Sequence, residues 1–289
     1  MKGIILAGGY GSRLNPSTLV VGKQLLPVYD KPMIYYPLST LIHAGVNEVL
    51  VISTPQDTPK FEKLLGDGSK FGISIQYKVQ PKPSGIPEGI IIGKEFLENS
   101  DFWLILGDNL FHGPDFGIIL SKTKFVSGAL IFAYRVQDPS SYGVVTFDES
   151  NKKILNLKEK PFQSSSKWAI PGLYKFDSKA VAIAETLTPS IRGELEIIDL
   201  INCYLKEGLL ICKQISRGNS WFDLGTANQL LMAGLYVQMI QERQGLLIGS
   251  PEEAGINSHF ISIDELSVTL ASKTDEYSMK LLSSLSMDF

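Results

Sequence analysis

Lys2-Gly3-Ile4-Ile5-Leu6-Ala7-Gly8-Gly9-Tyr10-Gly11-Ser12-Arg13-Leu14 is the stretch from which the architecture can be read. Gly3 to Ala7 is a short apolar run that glycines end at once, which predicts a buried strand opening into a loop. Glycines allow positive φ and close backbone approach. Successive backbone N–H groups can then cradle an anion, and Arg13 adds a fixed planar charge suited to phosphate oxygens. The same residues also suit a tight strand-to-helix turn with no ligand. Two familiar phosphate motifs do not fit. The dinucleotide fingerprint needs a third glycine where Leu14 follows Gly9 and Gly11. The P-loop needs Gly-Lys followed by Ser or Thr, but Gly22-Lys23 precedes Gln24, and Ser17 stands where the first glycine belongs.

Outward from this strand, apolar runs predict strands at Gly3 to Ala7, Glu48 to Ser53, Ile73 to Val79, Phe102 to Leu106, Ala129 to Val136, Gly143 to Phe147, Ile154 to Leu157, Trp168 to Phe176 and Leu209 to Ile215. Helix-period segments at Met33 to Ala44, Pro59 to Leu65 and Glu88 to Leu97 lie between the early ones. Alternating strands and helices predict right-handed βαβ units around a sheet covered on both faces. After Leu106 strands succeed one another more directly, with Pro139, Ser140 and Ser141 turning between two of them. The fold class is therefore α/β: a Rossmann-like, mixed, mainly parallel central sheet flanked by helices, with a helical C-terminal region. Residues 1–225 form one α/β domain of two halves, 1–107 and 108–225. Thr226 to Gln244 reads as a long amphipathic helix and the tail as one or two more. No Pro/Ser/Gly linker frees residues 226–289, so they are expected to pack on the body or on another subunit.

The 289 residues are 44% hydrophobic and 20% charged, enough apolar mass for a sizeable core. Their 27 Lys and Arg against 30 Asp and Glu leave a formal charge of −3, without the basic surplus of a nucleic-acid binder. Cys203 and Cys212 have no metal-ligand spacing and read as buried, reduced thiols. His43, His112 and His259 lie scattered and read as structural. No signal-peptide pattern or membrane-length apolar run is visible, and a soluble, cytoplasmic protein is expected.

Beyond Arg13 comes Lys23-Gln24-Leu25-Leu26-Pro27, where Lys23 could reach the same anion or lie solvated at the surface. Together, Gly8-Gly9-x-Gly11-Ser12-Arg13-Leu14 and Lys23-Gln24-Leu25-Leu26-Pro27 resemble the signature of the sugar-1-phosphate nucleotidylyltransferases. Asp30-Lys31-Pro32-Met33-Ile34-Tyr35-Tyr36-Pro37-Leu38 resembles their thymidylyltransferase branch. The likeness runs to about residue 250. It implies a fold of the nucleotide-diphospho-sugar transferase type and a reaction joining dTTP and glucose 1-phosphate. It also implies Mg²⁺ as cofactor, a place in deoxysugar (dTDP-rhamnose type) biosynthesis, and a homotetramer.

Leu104-Ile105-Leu106-Gly107-Asp108-Asn109 puts an acid past the end of an apolar strand, the edge at which open α/β sheets bind ligands. Asp108 there could hold a divalent ion or cap a turn. Asp223, in Ser220-Trp221-Phe222-Asp223-Leu224-Gly225, could do either as well. A pair of aspartates suits magnesium held jointly with a nucleotide phosphate, and the resemblance makes Asp108 and Asp223 that pair. It further implies that Arg13 and Lys23 hold the triphosphate and that Lys160 aligns the sugar phosphate. Leu6, Gly8, Gly9, Gly11, Ser12, Gln24, Gln80 and Gly85 fall on the nucleotide side. Asn109, Tyr142, Gly143, Glu159, Gly172, Tyr174 and Arg192 fall on the sugar-phosphate side. Without the resemblance, Glu159-Lys160 would read as a solvated pair and Arg192-Gly193-Glu194 as an ion-paired turn.

The implied nucleophile is already an anion, so positioning and electrostatics rather than a strong base should carry the reaction. Leu19 and Gly22 replace a usual basic residue and serine, Pro87-Glu88 a usual Ala-Gln, and Pro171 a usual threonine. These departures bear on nucleotide and sugar preference. Pro251-Glu252-Glu253 resembles the start of the family's regulatory nucleotide-sugar site. Two rival functions stand beside the first: the same chemistry with UTP or another sugar 1-phosphate, and a non-catalytic nucleotide-sugar sensor. Retention of Arg13, Lys23, Lys160, Asp108 and Asp223 argues against the sensor.

Overall fold

A computed structural model of the chain describes residues 1–123, 125–150, 153–271 and 273–288, with residues 286–288 described by their backbone alone. β1 (Lys2–Ala7) leads through short helical turns into a ribbon of β2 (Pro27–Val28) and β3 (Lys31–Pro32), then α1 (Tyr35–His43). β4 (Glu48–Ser53), α2 (Thr58–Leu65), β5 (Ser74–Val79), α3 (Ile86–Ile92), α4 (Lys94–Leu97) and β6 (Phe102–Leu106) complete the first half. The second half runs through β7 (Asn109–His112), α5 (Phe116–Ser121), β8 (Ala129–Arg135), β9 (Gly143–Phe147), β10 (Ile154–Glu159), β11 (Trp168–Ile170) and β12 (Leu173–Phe176). It continues through α6 (Lys179–Thr186), α7 (Ile197–Lys206), β13 (Leu210–Gln214) and β14 (Ser220–Asp223), and α8 (Ala227–Gln244), α9 (Pro251–Asn257), α10 (Ile263–Leu270) and α11 (Glu276–Asp288) follow.

One mixed sheet runs β10-β9-β11-β8-β12-β6-β1-β4-β5, with β13 added beside β8. β6, β1, β4 and β5 are mutually parallel, whereas β12 runs antiparallel to both β6 and β8. Period-2 alternation sends successive side chains of each strand to opposite faces. Ile5, Val51 and Ile105 thus join Leu38, Leu41 and Phe61 of α1 and α2 in one core. Ile4, Ile52 and Leu104 join Ile90, Ile201 and Tyr204 in the other. Continuous apolar strands are what two covered faces require. At one edge, β10 has a register shift against β9 between Ile154 and Asn156.

The structure revises several sequence expectations. The run Trp168 to Phe176 is two strands, because Pro171 lacks a ladder donor and Gly172 sits where any Cβ would lie 2.6 Å from Leu106. The helix expected at Glu88 begins at Ile86, since Pro87 is tolerated in a first turn, and it breaks at Gly93. Among the described residues the tail holds three helices, not one or two. α8 is not simply amphipathic: it buries Ala233, Val237 and Gln241 but leaves Leu231, Met232, Leu235 and Met239 exposed. Cys203 and Cys212 are free but only half-buried. In the tail, Tyr277 hydrogen-bonds Glu252 Oε2 at 2.7 Å and sets its ring edge-on to Tyr35 of α1.

Candidate active site

The expected residues converge where β1 and β6 end. Gly11 takes a left-handed conformation (φ 62°) and caps the single turn Ser12–Leu14. A Cβ there would stand 3.0 Å from the Cβ of Lys23, so the bare glycine lets the loop close on that lysine. Lys23 is 4% exposed and its Nζ donates to the carboxylate of Asp108. Gly22 also has a steric reason: a Cβ would come 2.5 Å from Oδ2 of buried Asp57, whose Oδ1 accepts the Gly22 N–H at 3.2 Å. A serine at this position would require Asp57 to move.

Asp223 does not cap α8. Thr226 does so through Gln229 N–H, and Asp223 ends β14, paired antiparallel with Asn109 of β7. The Leu224 N–H closes on Asp108 O at 3.0 Å, so this ribbon holds the two aspartates side by side. Burial, and then the neighbouring Asp108, push the Asp223 carboxyl above its ordinary range, against the pull of Lys23 and Arg13. Its Oδ1 is buried without a hydrogen-bond partner. An oxygen-only pair with an orphaned carboxylate oxygen fits a hard divalent cation that takes its remaining ligands from phosphate and water. Among the described residues no larger cluster of metal-ligating side chains exists.

A cavity of about 230 Å³ is lined by Leu6, Gly8, Gly9, Gln24, Gln80, Gly85, Asp108, Glu159, Lys160 and Arg192, drawn from both halves of the chain. Gly85 (φ 110°) bridges to Leu195, and a Cβ there would lie 2.1 Å from Leu195 O. Gln24 is buried with Oε1 unpartnered. Gly11 and Ser12 do not line this cavity; they shape the turn that carries Arg13.

An adjoining cavity of about 180 Å³ is lined by Arg13, Asp108, Asn109, Tyr142, Gly143, Glu159, Lys160, Gly172, Tyr174, Trp221 and Asp223. Asn109 is held by three hydrogen bonds: Oδ1 accepts from Trp221 Nε1 at 2.6 Å and Gly172 N–H at 3.1 Å, and Nδ2 donates one to Asp108 at 2.9 Å. It thereby orients Asp108 while lining this cavity. Lys160 adopts positive φ (37°) beside Glu159, with Nζ 3.4 Å from Glu159 Oε1. Arg192 reaches Glu159 at 3.5 Å, but its close partner is Glu196 at 2.6 Å rather than Glu194 at 3.9 Å. Sequence reasoning missed Trp221, although it stands in a quoted motif, and Glu196, two residues past Glu194, and it noted Glu88 only as a departure. A third cavity of about 670 Å³, between α1, α5 and the tail, contains all three histidines and none of the residues expected at the site. Burial lowers His43, and His112 Nδ1 meets Tyr236 OH at 2.7 Å, so both are tied into packing.

The family model described as Nucleotidyl transferase matches residues 2–239. The chain belongs to the nucleotidyl transferase family. This nucleotidyl transferase is 53% identical over 254 residues to a glucose-1-phosphate thymidylyltransferase of Neisseria gonorrhoeae, covering 88% of each chain. It is 49% identical to one of Mycolicibacterium smegmatis, over 92% of each. A third, from Neisseria meningitidis, is 48% identical over 98% of this chain and 99% of its own. That alignment carries the likeness past residue 250, where it was expected to fade. Among solved structures, a glucose-1-phosphate thymidylyltransferase of Bacillus anthracis in complex with sucrose superposes with TM-score 0.75 at 38% identity, covering 82% of this chain and 94% of its own.

Proposed function

We propose that this nucleotidyl transferase joins dTTP and α-D-glucose 1-phosphate to give dTDP-glucose and pyrophosphate. The observation that carries the reading is the charge arrangement of one cleft. Arg13, Lys23 and Lys160 gather around Asp108 and a buried, unpartnered Asp223 carboxylate oxygen. The relatives at 48–53% identity support the choice of substrates. A phosphate oxygen of the sugar attacks the α-phosphorus in line, and the bond to the β-phosphate oxygen breaks as pyrophosphate leaves. Arg13 and Lys23 stabilise charge on the triphosphate, and Lys160 holds the sugar phosphate in register. Lys23 exchanges its carboxylate partner for phosphate when nucleotide binds. Asp108 and Asp223 would hold Mg²⁺, which would neutralise developing charge on the phosphates. Gln80 and Gly85 read the base edge.

Pyrophosphate release with glucose 1-phosphate and Mg²⁺, run in parallel with dTTP, UTP, ATP, CTP and GTP, tests the proposal. Release strongest with dTTP, and absent without sugar phosphate or after EDTA, is expected. Release only with another nucleotide would overturn the substrate, and near wild-type turnover in both Lys160→Ala and Asp223→Asn would overturn the site. Nucleoside triphosphate use suits a cytoplasmic enzyme. Leu231, Met232, Leu235 and Met239 along α8 give a homo-oligomer an apolar face to bury, and light scattering in solution reads the subunit number directly.

A further inference from the structure

Glu88 has no role in the chemistry above, yet it determines which way Gln80 faces. Gln80 follows β5, its backbone N–H fixed on Ser53 O at 2.8 Å, and it is 5% exposed. Its side-chain Nε2 donates to Glu88 Oε2 at 2.5 Å, and the same oxygen accepts the Ser84 backbone N–H at 3.3 Å. Glu88 is itself fixed in the first turn of α3, behind Pro87, where Gly89 packs against Leu6. A carboxylate only accepts, whereas an amide has a donating end and an accepting end. The nitrogen of Gln80 must therefore face Glu88, which turns its oxygen the other way. There Oε1 stands over the loop after β1, close enough that a Cβ on Gly8 would lie 2.7 Å from it. Among the described residues no donor reaches Oε1, and Gln80 and Gly8 line the same cavity.

We infer that Glu88 is a positioning residue that locks the Gln80 amide with its carbonyl oxygen toward the nucleotide cavity. The site thereby selects a pyrimidine carrying an imino N–H, as thymine and uracil do, over cytosine, which offers a lone pair at that position. The inference rests on the reading that Gln80 meets the base edge. The nitrogen and oxygen of a free amide are nearly equal in size, so an unlocked Gln80 could rotate to suit either base. A glutamine at position 88, which the family resemblance leads one to expect, can donate as well as accept and would leave both orientations open. Glu88 removes that choice. Its charge also polarises the amide it accepts from, which strengthens Oε1 as an acceptor. A buried acceptor that meets a lone pair is left unpaired, and that mismatch is what discriminates between bases.

Steady-state kinetics with Mg²⁺, glucose 1-phosphate and, in turn, dTTP, UTP and dCTP test the lock in Glu88→Gln, Glu88→Met and Gln80→Ala. The natural enzyme should favour dTTP and UTP over dCTP. Both Glu88 variants should lower the dTTP:dCTP ratio of kcat/KM by about tenfold. The change should appear in KM for nucleotide and leave KM for glucose 1-phosphate unmoved, a split that general loosening of the fold would not produce. The Met variant, which fills the space without accepting, covers the case in which the Gln variant fails to fold. A ratio that falls in Gln80→Ala but holds in both Glu88 variants overturns the lock and leaves the base-edge reading intact. A ratio unchanged in all three overturns both.

Discussion

The proposed nucleotide side and the proposed sugar-phosphate side of the cleft are built differently. On the nucleotide side Lys23, Gln24 and Gln80 are buried. Lys23 is matched to Asp108, and Gln80 to Glu88. On the sugar side Lys160 and Arg192 keep 46% and 41% of their side chains exposed, and Arg192 shares the carboxylates of Glu159, Glu194 and Glu196. The first side is set in place by the fold before any ligand arrives. The second is a surface network in high dielectric, where each ion pair contributes little until substrate excludes water. The two sides meet at Gly85 and Leu195, where the Leu195 N–H also closes on Ser84 O at 2.8 Å.

If that contrast is right, damage to the buried side should cost more. Lys23→Ala strands the Asp108 carboxylate and removes a preorganised cation, so kcat/KM for dTTP is expected to fall about 10³-fold, with little dependence on salt. A similar loss in Leu19→Ala, on the exposed loop outside the cavities, would break the contrast. Lys160→Ala is expected to cost about 10²-fold, mostly in KM for glucose 1-phosphate. Raising ionic strength should weaken sugar-phosphate binding in the natural enzyme more than dTTP binding, and equal salt slopes for both substrates would contradict this.

Smaller effects sharpen the picture. Burial and Asp108 disfavour the Asp223 charge, so without metal its ionised form destabilises the fold. Asp223→Asn removes that cost and should raise the melting temperature in EDTA by roughly 2 °C while abolishing turnover. Mg²⁺ with dTTP should then stabilise the natural enzyme far more than the variant. A melting temperature that falls in EDTA would show that the carboxylate is paired in a way the structure does not contain. The smallest effect is expected far from the cleft. Tyr277→Phe gives up the hydrogen bond to Glu252, at a cost of about 1 kcal/mol in denaturant unfolding, with dTTP turnover unchanged.

The sequence was most informative where structure is local. β4, β6 and β9 have the bounds that their apolar runs announce, because a strand buried on both faces needs continuous apolar residues and a clear stop. The glycine loop, with Lys23 beyond it, was legible for the same reason, since its chemistry lies within one short segment. The ribbon β7–β14 was not. Its strands are short, mixed in polarity and far apart in the chain, and only the folded ladder places Asp223 beside Asn109. The turn at Arg192 was visible as a turn, but its spacing could not tell Glu194 from Glu196 as the partner. Glu88 was noticeable only as an unexpected acid. Its meaning depends on Gln80, which stands on another element, and on the one-way hydrogen bonding of a carboxylate.

The register shift in β10 bears on a different problem. β10 lies at a free edge of a large sheet, where a row of unpaired backbone groups invites another chain to add a strand. Here the irregularity between Ile154 and Asn156 and the charges of Lys158 and Glu159 make the edge a poor template. Glu159, which lines both cavities, therefore also belongs to the chain's protection against aggregation. Variants that strip charge from residues 158–160 to probe catalysis would expose a stickier border, and turbidity of Lys158→Val on mild heating would reveal it.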